Sequence, residues 1–192
     1  MKTLRVAFAL LGITLLASTN NINAQLLTGP IGNSANGHYY YLTVATNWTG
    51  AEAIGIGLGG HLTTVNDATE NAWVYNTFSS YGGIGRYLWI GLNDISAEGT
   101  FVWASGQTVS YLNWAAGEPN NGGGFYPNED WVHMWNPGSG YPSGSWVDAQ
   151  NLVTDGSLFY HGVIEVVPEP EAAVMLALAG AVAKCCFKRL QR

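Results

Sequence analysis

The chain has 192 residues, with 7 Lys or Arg against 13 Asp or Glu, a formal charge of −6 and only 2 cysteines. Lys2 and Arg5 lie in the first 24 residues and Lys184, Lys188, Arg189 and Arg192 in the last 25, while Glu169 and Glu171 are the acids of the tail, so residues 25–167 keep Arg86 alone against 11 acids, a formal charge of about −10. Such a segment excludes nucleic acid as a natural partner, because phosphates need Lys and Arg, and bound cations would relieve its self-repulsion.

The first 24 residues read as a secretory signal: Lys2 and Arg5, an apolar run over 6–17, then a polar stretch to Ala24, a small residue suited to cleavage. Residues 25–167 are one domain's worth of chain, long enough to bury a core. Cys185 and Cys186 both fall in the tail, so this domain has no disulfide and must rest on aromatic packing, with 8 Trp and 10 Tyr in the chain, and on metal.

Within the domain, His38-Tyr39-Tyr40-Tyr41-Leu42-Thr43-Val44 is β-branched and aromatic enough for a strand. Asn47-Trp48-Thr49 matches the glycosylation pattern and reads as a chance match or a helix start. Thr49 with Glu52 forms a capping box for a first helix that Gly59-Gly60 ends, and Asp67 with Glu70 repeats the device for a second. The apolar face of that second helix is expected at Ala68, Ala72 and Phe78, with Trp73 and Val74 beside it. From residue 87 short strands follow, over 87–92, 101–104, 131–135, 145–147 and 160–167, separated by Gly, Asn and Pro. Helices grouped ahead of antiparallel strands indicate an α+β domain.

Between those strands lies Gly117-Glu118-Pro119-Asn120-Asn121, followed by Asn128-Glu129-Asp130-Trp131 and answered by Trp146-Val147-Asp148. Carboxylates and amides are packed into a Gly- and Pro-rich loop with no Lys or Arg nearby. Ca²⁺ suits it, since it takes six to eight oxygens in irregular geometry, whereas Zn²⁺ prefers His or Cys. His61 and His161 sit in apolar surroundings without a second His or Cys at metal spacing and read as core or strand residues. His133 follows the loop, but a hard oxygen site needs no nitrogen.

Taken with Trp89-Ile90-Gly91-Leu92-Asn93-Asp94, Phe101-Val102-Trp103 and Asn113-Trp114, the ordered series from Tyr39 to Val163-Ile164-Glu165 resembles the C-type lectin domain. The resemblance implies a C-type lectin-like fold, two helices packed on short antiparallel sheets with a long calcium-binding loop. It implies a sugar-binding calcium held by Glu118, Asn120, Glu129 and Asp148, with Pro119 in a cis peptide bond and two sugar hydroxyls completing the coordination sphere. Glu before Asn is similar to the mannose, glucose and fucose class. A second calcium in the family implies Asp94, Glu98, Asn121, Glu129 and Asp130 as ligands. Val147 departs from the pattern, removing an oxygen and an amide donor. The family's two disulfides correspond to Gly55 with Ile164 and Trp131 with Asn151, so both partners of each bridge are absent together.

The tail opens Val167-Pro168-Glu169-Pro170-Glu171, runs through an apolar stretch over 172–183 and ends on a basic cluster. Its 12 apolar residues fall short of the ~20 that span a bilayer. The order resembles the PEP-CTERM sorting signal of Gram-negative bacteria, which implies recognition by an exosortase, removal of the segment 168–192, and delivery to the cell surface or the extracellular matrix. Membrane contact is then confined to the tail. The sequence as a whole reads as an exported calcium-dependent carbohydrate-binding protein, the alternative being a calcium-stabilised adhesion or matrix protein that recognises protein. An enzyme is not expected: Glu118 and Glu129 could form a glycosidase pair, yet carboxylates that ligate metal stay ionised and are poor general acids.

Overall fold

The computed structural model describes residues 22–124, 128–136 and 142–169. Residues 1–21 of the predicted secretory signal (1–24) and residues 170–192 of the predicted sorting segment (168–192) lie outside the described residues. In chain order the elements are β1 (Leu26–Gly32), β2 (Tyr39–Ala45), α1 (Trp48–Gly57), β3 (His61–Leu62), α2 (Ala68–Phe78), β4 (Tyr87–Asn93), β5 (Val102–Trp103), β6 (Trp131–Met134), β7 (Trp146–Ala149) and β8 (Tyr160–Val166). The α+β class and the two leading helices follow the sequence expectation.

The strands join in a single sheet of order β1-β2-β8-β4-β6-β7, with β3 attached to β8 and β5 to β4. The other pairs are antiparallel as expected, while β4 runs parallel to β8 with Tyr87, Leu88 and Trp89 opposite Tyr160, His161 and Gly162. Hairpins force antiparallel neighbours, but the long return from β4 to β8 leaves strand direction free.

Central strand β4 is buried at every position and its side chains alternate between two cores. Leu88, Ile90 and Leu92 pack with Val74, Tyr75 and Phe78 of α2, while Tyr87 and Trp89 pack with Trp48 and Ala51 of α1. The helices therefore cover opposite faces, which explains why the run Tyr-Leu-Trp-Ile-Gly-Leu-Asn shows no polar alternation. Gly91 is needed because a Cβ there would stand 2.6 Å from the Leu62 carbonyl oxygen. The missing bridge between positions 55 and 164 is replaced by packing, since a Cβ on Gly55 would already lie 3.2 Å from Ile164 Cδ1.

Both helix starts differ in detail from the expected capping boxes. Asn47, not Thr49, caps α1, its side chain accepting from the Gly50 N–H at 2.9 Å. Glu52 turns inward instead, paired with His61 Nδ1 at 2.6 Å and accepting from the Leu62 N–H at 2.8 Å. Asp67 caps α2 as expected, but Glu70 accepts from the Asn66 N–H, one residue earlier than a reciprocal box requires. Ala68 and Ala72 are exposed, and the buried face of α2 is Glu70, Asn71, Val74, Tyr75 and Phe78. Two polar residues on that face hid its 3.6-residue period. Strands β1 and β3 were not expected either. Pro30 interrupts the pattern of β1, which an edge strand with two register shifts tolerates.

Asn71 ties α2 to the site-bearing end of the sheet: its Oδ1 accepts from Trp146 Nε1 at 2.8 Å and its Nδ2 donates to the Gly144 carbonyl at 3.1 Å. Asn71→Leu leaves the buried indole N–H without a partner. Urea unfolding should show a loss of about 1 to 3 kcal/mol at unchanged m-value.

Candidate functional site

The loop leaves the sheet beside β7 and is hemmed to it on the way out. Trp146 donates its backbone N–H to the Asn113 carbonyl at 2.8 Å, and Ala115 returns a bond to the Trp146 carbonyl at 2.9 Å. Gly117, at φ +95°, makes the turn into the Glu118-Pro119 peptide bond, which is cis as the resemblance implied. Beyond it the chain is bolted down by Asp148, only 3% exposed, which accepts from the N–H of Asn120 at 3.1 Å and of Asn121 at 2.8 Å. Asn121 Oδ1 then accepts from the Glu129 N–H at 2.9 Å, joining the two halves of the loop.

This scaffold brings all four expected sugar-site residues to one place. Glu118, Asn120, Glu129 and Asp148 line an open cavity of about 280 Å³, together with Val147 and an aromatic wall of His133, Trp135 and Tyr160. The Asn120 side-chain amide points back at Glu118, 2.6 Å from Oε2. Burial pushes the Glu118 carboxyl up to about 7, aided by its hydrogen bond and charge contact with Asp148 and by Glu129. Glu129 is raised as well, by burial and then by Asp148.

The second expected set gathers beside the first. Asp94 is 2% exposed, donates its backbone N–H to the Asp130 carbonyl at 3.1 Å, and accepts from the Gly99 N–H at Oδ2, 2.7 Å away. Its Oδ1 is buried without a partner. Burial raises its carboxyl, followed by the charges of Asp130 and Asp148, and exposed Glu98 is raised by partial desolvation and by Asp94, Asp130 and Asp148. Asn121 and Glu129, through their mutual bond, sit between the two sets.

The donor set fits a hard cation. Oxygens dominate it, burial and neighbouring carboxylates hold its carboxyls protonated above their ordinary range, and one buried carboxylate oxygen lacks any partner. Arg86 offers no relief, being buried with its guanidinium on the Phe78 carbonyl at 3.1 Å. Each oxygen of Asp148 has two lone pairs, so the bonds given to the loop do not exhaust the carboxylate. Val147 contributes only methyl groups.

Sequence reasoning missed the aromatic wall. His133 is buried, donates Nδ1–H to the Met134 carbonyl at 3.1 Å, and burial lowers it to about 4, so it is a neutral wall residue near pH 7. It also missed the tightest gathering of metal-type ligands among the described residues. His38, Glu70 and Glu165 place ligand atoms within 4.8 Å of one another at the β2–β8 side of the sheet. There every carboxylate oxygen already has a proton donor: Tyr40, Asn36 and Asn66 for Glu70, and His38, Thr63 and the Thr64 N–H for Glu165. That trio is a satisfied structural network.

A mixed sheet flanked by two helices is a fold shared with C-type lectins. The lectin CEL-I from Cucumaria echinata superposes with TM-score 0.58 at 24% identity over 76% of this chain and 96% of its own. The carbohydrate-recognition domain of cow CD23, solved with a GlcNAc2Man3 oligosaccharide, superposes with TM-score 0.55 at 28% identity over 69% and 89%. The sequence model of the C-type lectin domain matches residues 44–154, more than half of the chain, and the chain belongs to that family, whose fold serves binding. Among curated relatives, an α-N-acetylgalactosamine-specific lectin of Patiria pectinifera is 40% identical over 84 residues, 41% of this chain and 45% of the relative. The low affinity immunoglobulin epsilon Fc receptor of Mus musculus is 35% identical over 111 residues, 58% of this chain and 29% of the relative. The chain thus spans less than half the length of these two proteins.

A carboxyl held above its ordinary pKa favours the folded state only while protonated. Glu118's contribution is therefore fully present below about 4.5, and metal-free stability falls as pH rises through 7. In chelator, the melting temperature of the full chain should drop between pH 5 and 7.5, and Glu118→Gln should flatten part of that slope. A parallel slope in the variant would remove Glu118 from the charged cluster.

Proposed function

We propose that the protein is an exported, calcium-dependent carbohydrate-binding protein of the cell surface or extracellular matrix. One calcium is held by Glu118, Asn120, Glu129 and Asp148, and a second by Asp94, Glu98, Asn121, Glu129 and Asp130. When bound, the ion supplies coordination positions for two neighbouring sugar hydroxyls. Around it the chain's own groups act in pairs: carboxylates accept from each hydroxyl and the Asn120 amide donates to one. Glu ahead of Asn in the loop favours mannose, glucose or fucose. The tail over 168–192 serves as an exosortase-processed sorting segment, and membrane contact is confined to it.

The observation that carries this reading is the convergence of Glu118, Asn120, Glu129 and Asp148 on one open cavity with no base to neutralise it. A glycan array of the full chain should show capture of mannose, glucose or fucose termini in calcium and its loss in chelator. Capture that is indifferent to calcium would remove the metal from the site.

Val147 favours a second reading, a calcium-stabilised adhesion protein that recognises protein. It is 8% exposed, stands opposite His133 in the β6–β7 pairing, and places methyls where the sugar site wants an amide. Val147→Asn should restore an oxygen and a donor together. At about 0.5 to 1.5 kcal/mol for a net hydrogen bond, sugar affinity should rise roughly threefold to tenfold in calcium and not in an Asn120→Ala background. A folded Val147→Asn protein that binds mannose and fucose no better than its parent would shift the reading to protein recognition.

A further inference from the structure

At the other end of the sheet, the connection between β1 and β2 meets the start of α2 around a separate cavity of about 200 Å³. Its wall is the half-buried indole of Trp73, held with ring centroids 4.8 Å from Tyr40 and 5.9 Å from Phe78. Its floor is rigid, since lining residues Asn36 and His38 are engaged with Glu70 at 3.0 Å and Glu165 at 2.6 Å. Asn33 is the unusual member. It is 4% exposed, its Oδ1 accepts from the Ala35 N–H at 3.0 Å, and its Nδ2 donates to no group among the described residues. Nδ2 is not among the buried atoms that lack a partner, so it reaches solvent and its spare donor can pass from water to a ligand in the cavity. The Thr69 hydroxyl and the second oxygen of Asp67, whose Oδ1 caps α2, also lack hydrogen bonds among the described residues.

The chemistry of this lining selects a ligand class. Donors and acceptors are mixed, which suits hydroxyl groups that both give and take, and the indole suits the C–H face of a sugar ring. Asp67 and Glu70 line the cavity without Lys or Arg, so carboxylated, sulfated or phosphorylated ligands are repelled. An ammonium ion is drawn by the indole and Asp67 but offers only donors, leaving Asn33 Nδ2 unanswered. The volume is below the ~300–1,000 Å³ of drug-sized sites and admits a single ring. We propose that this cavity is a second, metal-independent saccharide subsite taking one neutral pyranose, stacked on Trp73 and hydrogen-bonded to Asn33, Thr69 and Asp67. With sites at both ends of the sheet, one chain can engage two points of a glycan and gain avidity without new contacts.

The subsite stands independently of the calcium reading, so its test is run in chelator. The full chain is titrated with methyl α-D-mannopyranoside in EDTA while the Asn33 side-chain amide and Trp73 indole resonances are followed by NMR. Both should shift saturably with a Kd on the order of 1 to 10 mM. Trp73→Ala removes the stacking face, and Ala35→Trp fills the mouth from an exposed position that the fold does not rely on. Each should weaken binding at least about tenfold. Tetramethylammonium should leave both resonances unmoved. No shift at either group, undiminished binding in Ala35→Trp, or a response to tetramethylammonium in place of the pyranoside would overturn the subsite. Binding that appears only with calcium and disappears in Asp148→Asn would assign all sugar recognition to the acidic loop.

Discussion

Asp148 carries two duties that pull against each other. Its carboxylate, buried on β7, accepts backbone N–H groups from Asn120 and Asn121 and so fixes the loop against the sheet. Charge-assisted bonds of this kind are stronger than neutral ones. Burial raises the pKa of Glu118, Glu129, Asp94 and Glu98 first, and the same negative charge adds to the rise at each. The side chain that places the loop thus also adds to the repulsion that a cation would relieve.

What keeps Asp148 in place is packing. The domain has no cysteine over residues 25–167, and its central strand is sealed on both faces by helices. Trp89 stacks on Tyr160 at 4.4 Å and 17°, across the parallel β4–β8 pair. Trp146, the residue two before Asp148, is met edge-on by Trp103, Tyr111 and Trp114 and hydrogen-bonded to Asn71. Aromatic area and a few buried hydrogen bonds do here what covalent bridges would otherwise do.

The loop was legible because its residues have few other reasons to occur together: carboxylates and amides among Gly and Pro, at the close of a series of aromatic strands. The helices were legible in place but not in detail. Thr49 and Asn47 are both good caps two residues apart, and only the backbone decides between them. The face of α2 was misread because Glu70 and Asn71 look like surface residues, while tertiary partners make them core. The charge count misled in the same way. Glu52, Glu70 and Glu165 are buried with every carboxylate oxygen hydrogen-bonded, so these charges are solvated from within and the mutually repelling carboxyls are concentrated at the loop. Strand β1 and the Trp73 cavity could not be read, since both depend on where a proline-interrupted edge strand lands.

The central claim is that the loop carboxylates form a cation site whose ligands must first lose protons. Calorimetric titration of the full chain with calcium at pH 7, repeated in buffers of different ionisation enthalpy, tests it directly. With Glu118 raised to about 7, binding should be saturable and release protons, so the apparent enthalpy should change with the buffer. Asp148→Asn should abolish the saturable heat. Calcium heats that do not saturate, or that are the same in every buffer, would contradict the account.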